Sequence, residues 1–548
     1  MKTMWEQNYY PVAGSLGYSA LVAAIPLLIL FYMLGVRRKP SWMAALAALG
    51  SAVVLAVGVL GMPAKQALSS AAYGAGFGLF PIGWTVLGAI TLYRVTVETG
   101  QFEIIKDSLA SLSGDRRLQA LLIAFSFGAF LEGAAGAGTP VAIGAALLAG
   151  LGFPPFYAAY VCLLANTVPS AFGPIGIPMI TLAGVAGLPV DSVSAMTGRL
   201  CALFAIITPA YMVVVMAGFR GALEALPAIL ACGVTFAAML LWVSNTMGPE
   251  LGDILSGIVS IAAMVAVMKL WRPARIFRLP GDAPAKHSPH ARSWAEIARA
   301  WSPYLLLVAL VLLWGFGPVK TVLNTVSIPI EVPGLHQMIT RVPPVVAAPE
   351  AYSAVFNFNW LSAAGTACFL AAALASLALG MSPKTFLSVF MATQRQLALP
   401  MLTIASVLAL AFLMNYSGMT SILGLAFAAT GAAFPFFSAM LGWLGVFLSG
   451  SNTSSNALFG NLQVVTANAI GLNPVLTASS NAAGGLYGKM ISLQSIAMAI
   501  AATGLAASDE GKLFRATLRH SLILAAAVGL TVLAFAYIFP QLVPVAPP

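Results

Sequence analysis

The chain has 548 residues, of which 60% are hydrophobic and only 8% are charged. Soluble domains carry about 25% charged residues, and the 26 basic and 16 acidic side chains of this chain could not cover a globular surface without leaving large apolar patches. The composition therefore excludes a soluble enzyme, and lipid is the expected solvent for most of the chain.

Charge-free stretches follow one another along the chain and predict membrane-spanning helices. A helix needs about 20 apolar residues to cross a bilayer. Seven stretches of about that length or more contain no Asp, Glu, Lys or Arg: 17–36, 43–64, 66–93, 200–219, 225–249, 351–383 and 521–548. Two longer windows hold one charge each, Glu132 in 118–190 and Lys489 in 396–508. The sequence predicts an all-α polytopic membrane protein with about 12 to 14 transmembrane helices.

The basic residues lie in short loops between these stretches and predict the side of each loop. By the positive-inside rule, four basic clusters would be cytoplasmic: 37–39, 106–117, 269–299 and 512–519. The net charge of +10 therefore does not indicate nucleic-acid binding, and the N-terminus is predicted to be periplasmic. The first apolar helix is expected to be retained, because Glu6 precedes it and basic residues follow it. The segment 317–355 is predicted to be an external loop.

The proline-rich segment 272–300 is predicted to be the main cytoplasmic linker between an N-terminal half, 1–271, and a C-terminal half, 301–548. It contains His287 and His290, which are too weak a pattern for a metal site. The four cysteines lie inside apolar stretches at no metal-ligand spacing and are interpreted as packing residues. The sequence predicts neither a metal nor a cofactor.

Two parts of the chain share one plan, which predicts an internal repeat. FLEG at 130–133 recurs as FLSG at 447–450, an offset of 317 residues. Further pairs at nearly the same offset are Asn166 with Asn481 and Pro81 with Pro400. The repeats would cover about 70–190 and 390–508, and the basic clusters predict opposite orientations, as in the inverted repeats of secondary transporters. Chance matches in a chain of such biased composition are the alternative.

Small and polar residues interrupt both repeats at membrane depth. GAAGAGT at 133–139 and SNTSSN at 451–456 predict the tips of two re-entrant hairpins, because polar groups there must be buried in protein or line a watery cavity. The free amides of a helix that begins at such a tip attract a carboxylate. Broken helices are predicted near 165–170 and 478–485. The alternative is that these small residues form tight helix–helix contacts.

Glu132 and Lys489 are the charges that stand alone in their windows. An ionisable residue at membrane depth is expensive and usually functional, so Glu132 is predicted to bind and release a proton. Lys489 is predicted to meet an anionic substrate. The alternatives are a structural Glu132, ion-paired with Lys489 or bound by hydrogen bonds from the glycine loop, and a Lys489 that snorkels to the interface.

Four long motifs resemble the bacterial lactate permease family over essentially the full chain. They are TGQFEIIK at 99–106, FGAFLEGAAGAGTPVAI at 127–143, SGSNTSSNALFGNLQ at 449–463 and GKMISLQSIA at 488–497. The resemblance implies an inner-membrane symporter that imports L-lactate, often also D-lactate and glycolate, with a proton. It also implies distant membership of the ion transporter superfamily, in which Ser-Asn-Thr hairpins bind carboxylates. Here the first half has Ala135-Gly136-Ala137 in place of that triplet, and Ala137 and Leu493 depart from the family pattern.

The predicted mechanism places lactate between the two hairpin tips. Lys489 and the hydroxyls of 451–455 would hold its carboxylate, an amide side chain would meet its hydroxyl, and Glu132 would carry the proton. The candidate substrate-binding residues are Gly136, Gly138, Thr139, Asn166, Thr167, Ser451, Asn452, Thr453, Ser454, Ser455, Asn456, Asn481, Lys489 and Gln494. A sodium-coupled carboxylate carrier is the first alternative, and a membrane-embedded enzyme or respiratory subunit is the second. The expected partners are the monocarboxylate, the proton and the lipid bilayer, and the oligomeric state stays open.

Overall fold

The computed structural model describes residues 4–110, 112–136, 138–282 and 292–544. His287, His290 and Ala137 lie outside the described residues. The helices are α1 (Leu16–Phe31), α2 (Ser41–Gly58), α3 (Ala64–Phe77), α4 (Trp84–Glu98), α5 (Gln101–Ala110), α6 (Arg116–Gln119), α7 (Gly128–Ala134), α8 (Thr139–Gly150), α9 (Pro155–Ala165), α10 (Ile177–Ala186), α11 (Val190–Glu224), α12 (Leu226–Thr246), α13 (Gly252–Leu270), α14 (Trp294–Gly315), α15 (Gly317–Asn324), α16 (Ala364–Ala378), α17 (Pro383–Tyr416), α18 (Met419–Phe427), α19 (Phe434–Ser449), α20 (Asn452–Ala469), α21 (Pro474–Gly488), α22 (Leu493–Thr503) and α23 (Glu510–Tyr537).

Twelve helical segments of the described chain are long and apolar enough to cross a membrane. This confirms the predicted all-α polytopic fold and the expected number of spans. The segment Arg116–Ala134 is fully buried along its most apolar window, as expected for a helix that is apolar on all sides. Its C-terminal part is α7, so the chain around Glu132 lies at the centre of the bundle and not against lipid.

The two parts of the predicted repeat have the same order of elements. Each contains a helical hairpin, α7–α8 and then α19–α20, followed by a broken helix, α9–α10 and then α21–α22. Pro474, which begins α21, lies 319 residues after Pro155, which begins α9. The two prolines paired upstream lie in different local structures. Pro81 is in a π-helical segment between α3 and α4, whereas Pro400 is inside the continuous helix α17.

The hairpins and broken helices pack across the two repeats in a reciprocal way. The second arm of the first hairpin, α8, packs against α22, and the second arm of the second hairpin, α20, packs against α10. In each repeat, the second arm of the hairpin thus packs against the broken helix of the other repeat. This crossing brings both hairpin tips and both helix breaks to one place.

The remaining helices also mix the two halves of the chain. Helices α2 and α3 pack on α17, α1 packs on α18, and α4 packs on α16. The predicted halves 1–271 and 301–548 are therefore not separate bodies. The described part of the predicted linker packs on the first half, where Arg117 donates to the main-chain oxygen of Arg275 and Arg116 pairs with Asp282.

Helices α19 and α21 approach each other backbone to backbone. A Cβ atom added to Gly442 would lie 1.9 Å from the main-chain oxygen of Asn481, and one added to Gly484 would lie 1.9 Å from that of Ala439. Only glycine fits such contacts, which replace the hydrophobic driving force that lipid does not provide. The second hairpin and its broken helix are therefore held as one tightly packed unit.

The predicted external loop contains short strands that the sequence analysis did not foresee. The strands are β1 (Trp5–Glu6), β2 (Ile328–Glu331), β3 (Ile339–Arg341), β4 (Glu350–Ala351) and β5 (Val355–Phe358). Strand β1 pairs in parallel with β3, β3 pairs with β4, and β2 pairs with β5. The N-terminal segment and this loop thus lie on the same side of the bundle. At the other end of α1, Arg38 forms an ion pair with Glu510 at the start of α23, so two of the clusters predicted to be cytoplasmic also lie together.

Candidate functional site

The two isolated charges of the sequence form a buried ion pair. Lys489 Nζ lies 2.6 Å from Glu132 Oε1, and the side chains are 10% and 4% exposed. Asn166 Nδ2 donates to the other carboxylate oxygen, Glu132 Oε2, at 3.2 Å. The lysine therefore does not snorkel to the interface, and three predicted site residues from three different elements meet at one carboxylate.

The helix breaks explain why these side chains can meet. Asn166 is the C-cap residue of α9, where the first broken helix ends. Lys489 follows α21 and begins the 3₁₀ turn Lys489–Ile491 that separates it from α22. A helix break frees backbone groups and lets the chain change direction, so both side chains project into the space between the two repeats. Glu132 reaches the same space from α7, just before the first hairpin tip.

A cavity of about 390 Å³ opens beside the ion pair. The predicted site residues that line it are Glu132, Gly138, Ser451, Asn452, Thr453, Ser454, Lys489 and Gln494. Its other wall is apolar and includes side chains of α1, α17 and α20, such as Leu30, Leu397 and Leu458. Because a water molecule occupies about 30 Å³ of liquid, the cavity can hold a small organic anion together with several waters.

Four helix N-termini converge on this cavity. Its lining includes Gly138, the N-cap of α8, the first two residues of α10, residues 452–454 of α20, and Gln494 in the first turn of α22. The N-terminus of a helix carries about half a positive charge and unpaired N–H groups. Glu132 already neutralises Lys489, so the amides at these N-termini are the groups left to meet an anion. The arrangement favours a carboxylate ligand.

The N-caps of the second repeat show how the polar window SNTSSN is used. The Ser451 hydroxyl accepts a hydrogen bond from the Ser454 amide and so caps α20. Asn452 Nδ2 donates to the main-chain oxygen of Ser170 at 2.9 Å, which joins the second hairpin to the first helix break. Asn452 Oδ1 has no hydrogen-bond partner within the described part of the chain. This oxygen lies against α21, where a Cβ atom added to Gly485 would be 2.3 Å from it.

The first hairpin tip depends on glycine. Gly136 and Gly138 have φ angles of +56° and +82°, a region that other residues rarely adopt. A Cβ atom on Gly136 would lie 2.7 Å from Pro174 Cγ, so the tip packs directly on the first helix break. Gly138 faces the cavity, whereas Gly136 and Thr139 are not among its lining residues. The first hairpin tip thus presents backbone to the cavity, whereas the second hairpin tip presents polar side chains.

Five further predicted substrate-binding residues are not among the lining residues of the cavity: Asn166, which contacts Glu132 instead, and Thr167, Ser455, Asn456 and Asn481. Their polar groups bond inside the packed protein. Thr167 donates to the main-chain oxygen of Leu164, and Asn481 bonds with Ser455, Asn456 and Gln463. Asn456 also donates to the main-chain oxygen of Pro178 in α10. The side chains of Ser455, Asn456 and Asn481 thus join α20, α21 and α10. The two asparagines paired by the repeat are not in equivalent positions, because Asn481 lies inside α21 whereas Asn166 is at the end of α9.

Some lining residues were not predicted from the sequence. Ser170, Pro174, Ser449 and Ser495 contribute to the cavity wall. A partial signal exists in the sequence, because Ser170 ends the predicted helix break 165–170 and Ser495 follows Gln494 in the motif at 488–497. Single serines are too common at helix contacts for either to be selected without the fold.

Comparisons with known proteins identify the family of the chain. A family model described as L-lactate permease matches residues 19–539. The L-lactate permease of Bacillus subtilis (strain 168) is 46% identical, with 98% of this chain and 100% of that protein covered. The glycolate permease GlcA of Escherichia coli (strain K12) is 45% identical, with 98% of each covered. Among solved structures, the YdaH transporter of Alcanivorax borkumensis aligns with a TM-score of 0.45 at 15% identity, covering 96% of this chain and 100% of that one.

Proposed function

The chain belongs to the L-lactate permease family and is a multi-pass membrane transporter of lactate or glycolate rather than an enzyme, and we propose that each substrate anion enters with one proton. The proposal includes L-lactate as the main substrate, D-lactate and glycolate as further substrates, and the bacterial inner membrane as the location. The observation that supports it is the Glu132–Lys489 pair at the wall of the cavity.

Competition for Lys489 couples the anion to the proton. In the structure Glu132 is the counterion of Lys489 at 2.6 Å. When the lactate carboxylate takes that place, Glu132 is left as a buried carboxylate without its cation, which is strongly unfavourable. Binding a proton relieves this cost. Anion binding and proton binding to Glu132 therefore favour each other, as thermodynamic linkage requires.

This exchange keeps the charge of the site constant. The empty site holds one carboxylate and one ammonium, and the loaded site holds one ammonium, one lactate anion and a neutral Glu132. Both states of the site are neutral overall, so neither carries net charge across the membrane when the site changes sides. A bare anion would instead face about 2.3 kcal/mol for each 100 mV of inside-negative potential.

The hydroxyl of lactate has acceptors within the site. Asn452 Oδ1 has no partner in the described chain, and Gln494 lies at the N-terminus of α22. We propose that one of these amides binds the hydroxyl while Lys489 and the α20 N-terminus bind the carboxylate. Asn166 holds Glu132 from the opposite side and positions it for the exchange.

Uptake into proteoliposomes tests the proposal. We expect wild-type protein to accumulate radiolabelled L-lactate under an inward proton gradient without sodium. Glu132→Gln should lose that accumulation and keep lactate–lactate exchange, because the substrate still has Lys489. Glu103→Gln is the matched control, since Glu103 is 65% exposed and pairs with Lys106 away from the cavity. Accumulation that needs sodium would overturn proton coupling and favour an ion site at the oxygens of 451–454.

We further propose that the N-terminus is periplasmic. The support is the pairing of β1 with the loop that has few basic residues, and the contact between Arg38 and Glu510 at the opposite end of α1. A short peptide tag added at the N-terminus should be cleaved by protease in spheroplasts. Protection of the tag until the membrane is broken would overturn this topology.

A further inference from the structure

A second carboxylate lies behind the ion pair. Asp253 is in the first turn of α13 and is only 1% exposed. A Cβ atom added to Gly133, the residue after Glu132, would lie 2.9 Å from Asp253 Cβ. Asp253 therefore packs against α7 directly beside Glu132. In the sequence, Asp253 lies between two apolar stretches, where an acidic residue resembles part of a loop.

Neither carboxylate oxygen of Asp253 has a hydrogen-bond partner among the described residues. The groups that face it are Glu132 from α7, Lys489 from the second helix break, Cys201 from α11, and the amide of Gly173, which points towards it without completing a hydrogen bond. Lys489 is already bonded to Glu132. Asp253 therefore has no counterion of its own within the described chain, and a carboxyl group in such a position costs less when it carries a proton.

We propose that Asp253 is the relay residue that delivers the transported proton to Glu132. This inference rests on the proposed proton symport. When lactate displaces Glu132 from Lys489, the O–H bond of Asp253 breaks and an O–H bond forms on Glu132. Asp253 becomes a carboxylate beside a neutral Glu132, and it recovers a proton from the outer solution. One proton and one lactate anion have then been added to the site.

The outer end of this relay is marked by the turn between α12 and α13. A Cβ atom on Gly248 would lie 3.0 Å from Glu250 Oε2 and 3.8 Å from Asp191 Oδ1. Two more carboxylates therefore lie at this turn: Glu250 is three residues before Asp253 in the chain, and Asp191 is in the first turn of α11. Burial raises the pKa of the Glu250 carboxyl, the charge of Lys320 in α15 lowers it, and Asp191 raises it further. Helix α15 belongs to the segment predicted to be external. The proposed relay thus takes its proton from the side of α15, which the sequence predicts to be external.

A purely structural role for Asp253 has a different expectation. An acidic residue in the first turn of a helix interacts favourably with the helix dipole, and asparagine fits the same space without charge. If stability of α13 were its role, Asp253→Asn would change the melting temperature and would not change the dependence of transport on pH. The two roles are therefore separated by the pH profile.

The test compares Asp253→Asn with wild type in proteoliposomes. We expect proton-driven uptake to fall by about 100-fold, the lower range for the loss of a proton-transfer group, while lactate–lactate exchange at equal pH stays near the wild-type rate. Asp253→Glu should restore part of the uptake and shift its pH profile. Asp107→Asn is the matched control, because Asp107 pairs with Arg292 at 27% exposure away from the cavity.

The outcomes separate this inference from the proposed function. If wild type shows no proton-driven uptake, proton symport itself is wrong. If wild type shows it and Asp253→Asn is unchanged, or loses exchange as well while still folded, the relay role is wrong. If Asp253→Asn does not fold, infrared difference spectra on adding lactate decide. In time-resolved spectra the carbonyl band of a protonated acid must be lost transiently in wild type, before Asp253 recovers its proton, and that transient band must shift in Asp253→Glu. A transient band that does not shift, or the absence of any transient loss, overturns the inference.

Discussion

Replacing Lys489 with methionine removes the cation that Glu132 contacts and leaves the carboxylate buried. Removing one partner of a buried ion pair costs about 3–5 kcal/mol. We expect a value near 3 kcal/mol here, because Asn166 still donates to Glu132 and the carboxylate can bind a proton. Replacing both partners by neutral side chains is often close to neutral. Glu132→Gln/Lys489→Met should therefore recover most of the lost stability, with a coupling energy of up to about 3 kcal/mol.

Four buried free cysteines, Cys162, Cys201, Cys232 and Cys368, provide the assay. A thiol-reactive fluorophore labels them as the purified protein unfolds in detergent, so unfolding free energies can be compared among the variants. Lys106→Met is the control, because Lys106 pairs with an exposed glutamate and should cost about 1 kcal/mol or less. The reasoning is refuted if Lys489→Met is as stable as wild type, or if the double variant is no more stable than Lys489→Met.

Three further predictions concern the hairpin tips and the N-terminal segment. Gly138→Ala should raise the lactate concentration needed for half-maximal exchange and cost about 1–2 kcal/mol, because φ is +82° there and alanine is strained in that region. A Cβ atom at position 138 would also lie 2.0 Å from Met498 Sδ, so adding Met498→Ala should relieve that contact but not the backbone part of the loss. Ser451→Ala removes the cap of α20 and should cost about 1 kcal/mol while weakening lactate exchange, whereas Ser382→Ala, which removes the cap of α17, should leave exchange unchanged. Burial raises the pKa of Tyr9 to about 12, above the value near 10 of an unfolded tyrosine. The contribution of Tyr9 to stability is therefore complete below about pH 10 and is lost as the pH rises towards about 12. A difference titration of wild type against Tyr9→Phe by tyrosinate absorbance should show this group, and a step near pH 10 would contradict the prediction.

The features that the sequence predicted well are those set by the membrane. Charges are so scarce that Glu132 and Lys489 stand out without any structure, and polar residues at membrane depth are tolerated only in hairpin tips and helix breaks. The twelve spans follow from the same scarcity. The pairing of the two charges could be written only as an alternative, because 357 residues separate them and no local pattern fixes such a contact.

The features that were missed depend on packing between distant elements. Strand β1 has two residues and pairs with a loop more than 300 residues later, so neither partner has a strand pattern of its own. Asn481 looked like a ligand because it is polar at membrane depth, yet α20 and α21 satisfy it internally. Asp253 looked like a loop residue, and only the contact of α13 with α7 shows that it lies inside the bundle.

The long separation of Glu132 and Lys489 also has a consequence for how the protein is made. A ribosome that adds about 5–20 residues per second needs roughly 20–70 s to synthesise the 357 residues between them. During that time the nascent chain carries an acid in the bilayer without its counterion, and the first hairpin lacks α22 as its neighbour. The substrate site is therefore completed late in biogenesis, long after the first helices have been inserted. A chain truncated before Lys489 retains the unpaired acid and should be a preferred substrate of membrane proteases.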